Sequence, residues 1–72
     1  MPDPSLVSDL YIHKEHRRWA FDVTGGPAVV AAVRRVEGTP FYQGQTFFIK
    51  NSCAPTRIYS AVLRAVDHLG SS

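Results

Sequence analysis

From Ala54 to Leu69 the apolar residues Ala54, Ile58, Ala61, Val62, Ala65, Val66 and Leu69 recur every three or four positions. That spacing lines up one face of an α-helix. Thr56, Arg57, Ser60, Arg64, Asp67 and His68 fill the wet side. Pro55 suits a first helical turn, Ser52 is a candidate N-cap and Gly70 a C-terminal stop. The pattern therefore predicts a helix over about residues 54–69. A second pattern has a period of two. In Arg18-Trp19-Ala20-Phe21-Asp22-Val23 the large apolar side chains alternate with the rest, which predicts a strand with Trp19, Phe21 and Val23 on one face.

Phe41 to Asn51 contains the β-favouring run Gln45-Thr46-Phe47-Phe48-Ile49 and closes on the polar Lys50-Asn51-Ser52. It reads as a strand, with Gly44 as a bulge or bend. Leu10-Tyr11-Ile12 suits a short strand, although Ser5 could instead cap a short helix carrying Leu6 and Leu10. Residues 28–37 suit two structures. Val29, Val30, Val33 and Val36 fit a helical face between Pro27 and Gly38, but four valines flanked by turn residues favour a pleated surface, and the strand is preferred. Pro2 and Pro4 around Asp3 give residues 1–5 no regular structure.

The fold class that follows is α+β: a small antiparallel meander of three to four strands with the C-terminal helix packed on one face. Trp19, Phe21, Val23, Phe47 and Ile49 are expected to meet Ile58, Val62, Ala65 and Leu69. Each large side chain buried in such a contact contributes about 1.5–3 kcal/mol.

Seventy-two residues, 44% of them hydrophobic, make residues 1–72 a single small domain with a thin core. One cysteine excludes an internal disulfide, so self-association is a natural way to supplement the core. The lone cysteine, the absence of a charged-then-apolar leader and the lack of any long apolar run lead to the expectation of a cytoplasmic protein, away from membranes. A net charge of +2 and a sequence pI near 9.0 permit contact with nucleic acid without requiring it.

Candidate chemistry is sparse. His13, His16, Cys53 and His68 are metal-ligand types, but no Cys-x2-Cys pair accompanies them and their spacing predicts neither a metal site nor a Cys–His catalytic pair. Gly25-Gly26-Pro27 is too short to cradle a phosphate. The carboxylates of Asp3, Asp9, Glu15, Asp22, Glu37 and Asp67 are scattered singly, which leaves no pair for acid–base work. No enzyme, cofactor or small-molecule substrate is expected. The basic residues are more suggestive. Lys14, Arg17 and Arg18 run into Trp19, while Arg34, Arg35 and Lys50 fall on neighbouring segments of the expected meander, with Arg57 and Arg64 on the helix to extend the set. A positive ridge of this kind attracts the phosphates of DNA or RNA, and Tyr11, Phe41 or Tyr42 would stack on bases.

The leading expectation is thus a small binding or regulatory protein associated with nucleic acid. The alternative is a protein-interaction module, either a homodimer or an inhibitor of a larger protein, anchored by Phe41, Tyr42, Tyr59 and Leu63. Tyr59 and Leu63 widen the apolar arc of the C-terminal helix beyond what one small sheet requires.

The order of a short strand, the Arg18-Trp19 strand, two further strands and a terminal helix resembles the three-stranded arm-type DNA-binding domains of tyrosine recombinases. The resemblance implies a sheet face that enters the major groove. From Gly26-Pro27 onward the layout also resembles double-stranded-RNA-binding domains. Where those carry a lysine-rich start to the last helix, this chain reads Asn51-Ser52-Cys53-Ala54-Pro55.

Overall fold

Alternation in two distant segments produces the centre of the molecule. The computed structural model describes residues 6–70, the side chains of Phe41 and Gly70 excepted; the Pro-flanked residues 1–5 lie outside the described residues. In chain order the elements are β1 (Tyr11–Ile12), β2 (Trp19–Asp22), α1 (Pro27–Arg34), β3 (Phe41–Gln43), β4 (Thr46–Phe48) and α2 (Pro55–Gly70). The strands form one sheet in the order β1-β2-β4-β3, and every neighbouring pair is antiparallel. The α+β class and the C-terminal helix are as the sequence predicts.

Opposite Phe21 stands Phe47, opposite Ala20 stands Phe48, and opposite Asp22 stands Thr46. Successive strand residues point to opposite faces, so Phe21, Val23, Phe47 and Ile49 share one side. There they join Val7, Val33 and Val62 in the core, with Ile58, Tyr59 and Val66 of α2 and Val29, Val30 and Val36 packed around them. The Phe21 and Phe47 rings lie parallel, 5.7 Å apart with 5° between their planes.

Residues 28–37 correct the preference for a strand: Pro27–Arg34 is a helix. Pro27 occupies its first turn, and the alanines at 28, 31 and 32 offset the modest helix penalty of the valines. Burial decides the matter, since the helical spacing places Ala32 and Val33 inside. Thr39 then completes the end of α1 by donating its hydroxyl to Val36 O at 2.8 Å and to Val33 O at 3.3 Å. The connectivity changes accordingly. β2 and β3 run parallel with β4 between them, and α1 carries the chain across one face from the end of β2 to the start of β3. Both layout resemblances need a strand where α1 stands, and neither survives it.

Three smaller expectations also move. Of the two readings of Gly44 the bend holds and the bulge does not: with φ 62° it opens the two-residue turn joining β3 to β4. Ser52 does not cap α2: it lies in the turn closed by Cys53 N–H on Lys50 O, and the first helical bond runs from Ile58 N–H to Ala54 O. Trp19 lies on the inner face as alternation requires, yet 40% of its surface is exposed. Its cross-strand neighbour is Ile12 of the two-residue β1, itself 50% exposed, so the sheet is too narrow there to cover an indole.

Gly38 is the tightest backbone position. Its φ is 96°, and a Cβ there would stand 2.7 Å from Ile58 Cδ1. Gly38→Ala is expected to lower stability by about 1–3 kcal/mol in urea denaturation. Gly26→Ala, where an added Cβ meets nothing within 4 Å, should change it by less than about 0.5 kcal/mol. Equal effects would contradict the close approach of α2 to the loop.

Candidate nucleic-acid interface

Antiparallel pairing of β2 with β4 brings the start of one to the end of the other, and α1 returns the chain to that same end before β3. Three loops therefore meet there: residues 13–18, 35–40 and 49–54. They are tied by backbone hydrogen bonds. Ile49 N–H donates to Trp19 O at 2.9 Å, and Lys50 N–H to Gly38 O at 2.7 Å. Arg18 Nη2 donates to Ile49 O at 3.2 Å.

The first loop is a tight turn. Arg17 N–H donates to His13 O at 2.8 Å, and Arg17 itself takes a φ of 53°. The His13 imidazole completes it: Nδ1 accepts the N–H groups of Glu15 at 3.2 Å and His16 at 3.3 Å. The His13 and His16 rings lie 4.9 Å apart and both rest on Phe48, at 5.2 and 4.9 Å. Phe48 points away from the helices, so this turn is what buries it on the outer face. The sequence gives weak notice of such a role, since turn-closing side chains are usually Asn, Asp, Ser or Thr. Cys53 packs against the core and His68 stands in the last turn of α2. Among the described residues no three His, Cys, Asp or Glu side chains gather to hold a metal ion.

Of the basic residues named from sequence, Lys14 and Arg17 are exposed on the first loop, Arg35 on the second and Lys50 on the third, with Arg18 half-buried beside them. Arg57, in the first turn of α2, reaches the same end. Arg34 is drawn elsewhere: its guanidinium lies 5.3 Å over the Tyr42 ring, which stacks on Phe47 at 4.9 Å. Arg64 stands two turns along α2 and, with Arg35, flanks an open groove of about 550 Å3 floored by Ala32, Val36, Ala61 and Ala65. Glu15 and Glu37 lie on the cationic loops; Asp22 lies at the other end of β2, where its carbonyl accepts the Ser8 N–H just before Asp9.

The residues named as protein-contact anchors do not form one patch. Tyr59 is engaged within the fold: its hydroxyl donates to Ser8 O at 2.7 Å and its ring meets Phe21 edge-on at 6.0 Å. The N-terminal segment thus accounts for part of the wide apolar arc of α2. Leu63 is 41% exposed on that flank, whereas Tyr42, 40% exposed, lies on β3 at the opposite edge of the sheet. The Phe41 side chain lies outside the described residues.

A polar network missed by the sequence reading sits on the outer face. Tyr11 Oη and Thr46 Oγ1 both donate to Asp22 Oδ1, at 2.9 and 2.6 Å, and Asp22 N–H donates to Ser8 Oγ at 2.8 Å. Burial pushes the Tyr11 phenol above its ordinary value; its hydrogen bond to Asp22 and the charge of that carboxylate add to the rise, and Thr46 opposes it. Tyr59 is raised by burial and then by the charge of Asp9. The folded state therefore holds protons that the unfolded chain releases near pH 10.0. Their contribution to stability is complete below that pH and is lost as pH rises through the higher folded values. Between about pH 8 and pH 11, urea denaturation should show a smaller loss of stability for Tyr11→Phe than for the unaltered chain. An identical loss would mean that the Tyr11 phenol is not held protonated by the fold.

No helix among the described residues is long and apolar enough to cross a membrane. Set against family models, curated proteins and solved structures, the chain matches none.

Proposed function

We propose that the protein is a small non-enzymatic nucleic-acid-binding domain, acting in the cytoplasm as an accessory or regulatory component, with the cationic end of its sheet as the contact surface. The observation that supports this reading is the meeting of three loops that carry Lys14, Arg17, Arg18, Arg35 and Lys50. A cationic surface of this kind displaces counterions from a phosphate backbone, which drives association without regard to base sequence. Arg18 is the best-anchored member, because its guanidinium is held on Ile49 O; Lys14, Arg17, Arg35 and Lys50 are exposed and free to reach phosphates at differing spacings. Arg34, occupied by Tyr42, contributes charge at a distance.

Affinity for labelled oligonucleotides, followed by fluorescence anisotropy, is expected to fall steeply with salt. Arg17→Ala combined with Lys50→Ala should weaken binding to all sequences alike. Each lost phosphate contact should reduce the slope of log affinity against log salt by about 0.7–0.9. Absence of binding at low salt, in a chain that sediments as a dimer and is dissociated by Leu63→Lys, would replace this reading with the protein-interaction one.

A further inference from the structure

We propose that the nucleic acid taken by this surface is an unpaired strand, with the indole of Trp19 as the platform on which one base stacks. The inference rests on the nucleic-acid reading above and adds the class of strand. Most other aromatic side chains among the described residues are committed to the fold. Phe21, Phe47 and Phe48 are buried, Tyr59 is bonded to Ser8, and Tyr11 is bonded to Asp22. Tyr42 is exposed, but its ring already lies between Phe47 and the Arg34 guanidinium. Trp19 is different. It is 40% exposed and stands beside Ile12, 50% exposed, across the β1–β2 ladder.

Its surroundings are those of a stacking site. Arg17 and Arg18 precede it, its carbonyl accepts the N–H of Ile49, Arg18 is fixed on the carbonyl of that same Ile49, and Lys50 follows. The indole thus belongs to the first residue of β2, directly after the loop that carries Arg17 and Arg18 and at the end of the sheet where the cationic loops meet. Base stacking on an aromatic side chain is tolerant of sequence and, together with a positive backbone track, is how single strands are held. Bases within a duplex are already stacked on both faces, so using the indole there would require unstacking them first. Only an unpaired strand meets both parts of the surface at once.

Trp19 is the sole tryptophan of the chain, so its fluorescence reports the contact directly. The unaltered protein is titrated at low salt with a twelve-nucleotide thymidine oligodeoxynucleotide, a uridine oligoribonucleotide of the same length, a twelve-base-pair duplex and base-free inorganic polyphosphate. The single strands should quench Trp19 and bind about tenfold more tightly than the duplex, and polyphosphate should bind without quenching. Quenching by only one of the two single strands also supports the proposal and assigns the sugar. Trp19→Leu should cost about tenfold in single-strand affinity, read by anisotropy of the labelled oligonucleotide, with duplex and polyphosphate affinities unchanged. Equal affinity for duplex and single strands, or binding of single strands without quenching, would overturn the proposal and leave the nucleic-acid reading standing. No binding to any of the four would remove both.

Discussion

Phe21 and Phe47 face each other across the β2–β4 ladder with their rings nearly parallel, and the rest of the architecture is arranged to keep water from that pair. Val62 of α2 and Val33 of α1 close over them from the helical side, both fully buried. The constraint is more than hydrophobic contact. Once β4 occupies the free edge of β2, no other segment can pair there, and residues 27–34 cross the sheet as a helix. The crossover in turn fixes where β3 begins and which loops share an end of the molecule. A single long-range pairing therefore determines the helix content, the strand order and the location of the cationic loops.

Parts of this were legible in the sequence and parts were not, for definite reasons. α2 was legible because sixteen residues allow several repeats of a helical period, and β2 because alternation over six residues admits no other reading. α1 was not, because β-branched residues at helical spacing satisfy both patterns, and it is their burial against the folded sheet, with Ala32 and Val33 inside, that separates them. Alternation assigned Trp19 to the correct face but carried no information about how far cover extends, which depends on the brevity of β1. The basic residues were visible as residues. That the loops carrying Lys14, Arg17, Arg18, Arg35 and Lys50 meet while Arg34 turns to Tyr42 depends on the crossover, which the sequence does not spell out. In the sequence His13 offers only a metal-ligand type, and its work as the acceptor that closes its own turn follows from backbone geometry.

The functional reading follows from a separation of two kinds of surface. On the outer face Asp22 is the acceptor for Tyr11 and Thr46, and it lies at the end of β2 away from the cationic loops. At the other end the loops present arginines and lysines on a scaffold braced by β-ladder and inter-loop hydrogen bonds, so the loops that carry the charges are held together before any partner arrives. Pre-organisation of this sort reduces the ordering cost of binding. On the proposed reading, the exposed apolar surface of Trp19 and Ile12 at the same end of the sheet is what would let the site hold bases as well as attract phosphate.

Because everything descends from the register of β2 on β4, a nuclear Overhauser spectrum of the labelled protein is the most direct test. The bond from Ile49 N–H to Trp19 O, with Ala20 opposite Phe48 and Asp22 opposite Thr46, places the latter two couples at the close, non-hydrogen-bonded positions of an antiparallel ladder. Strong Hα–Hα cross-peaks are expected for Ala20 with Phe48 and for Asp22 with Thr46. Cross-peaks from β2 to a strand within residues 28–36 would contradict the account, since the crossover, the meeting of the loops and the site built on them would all be lost.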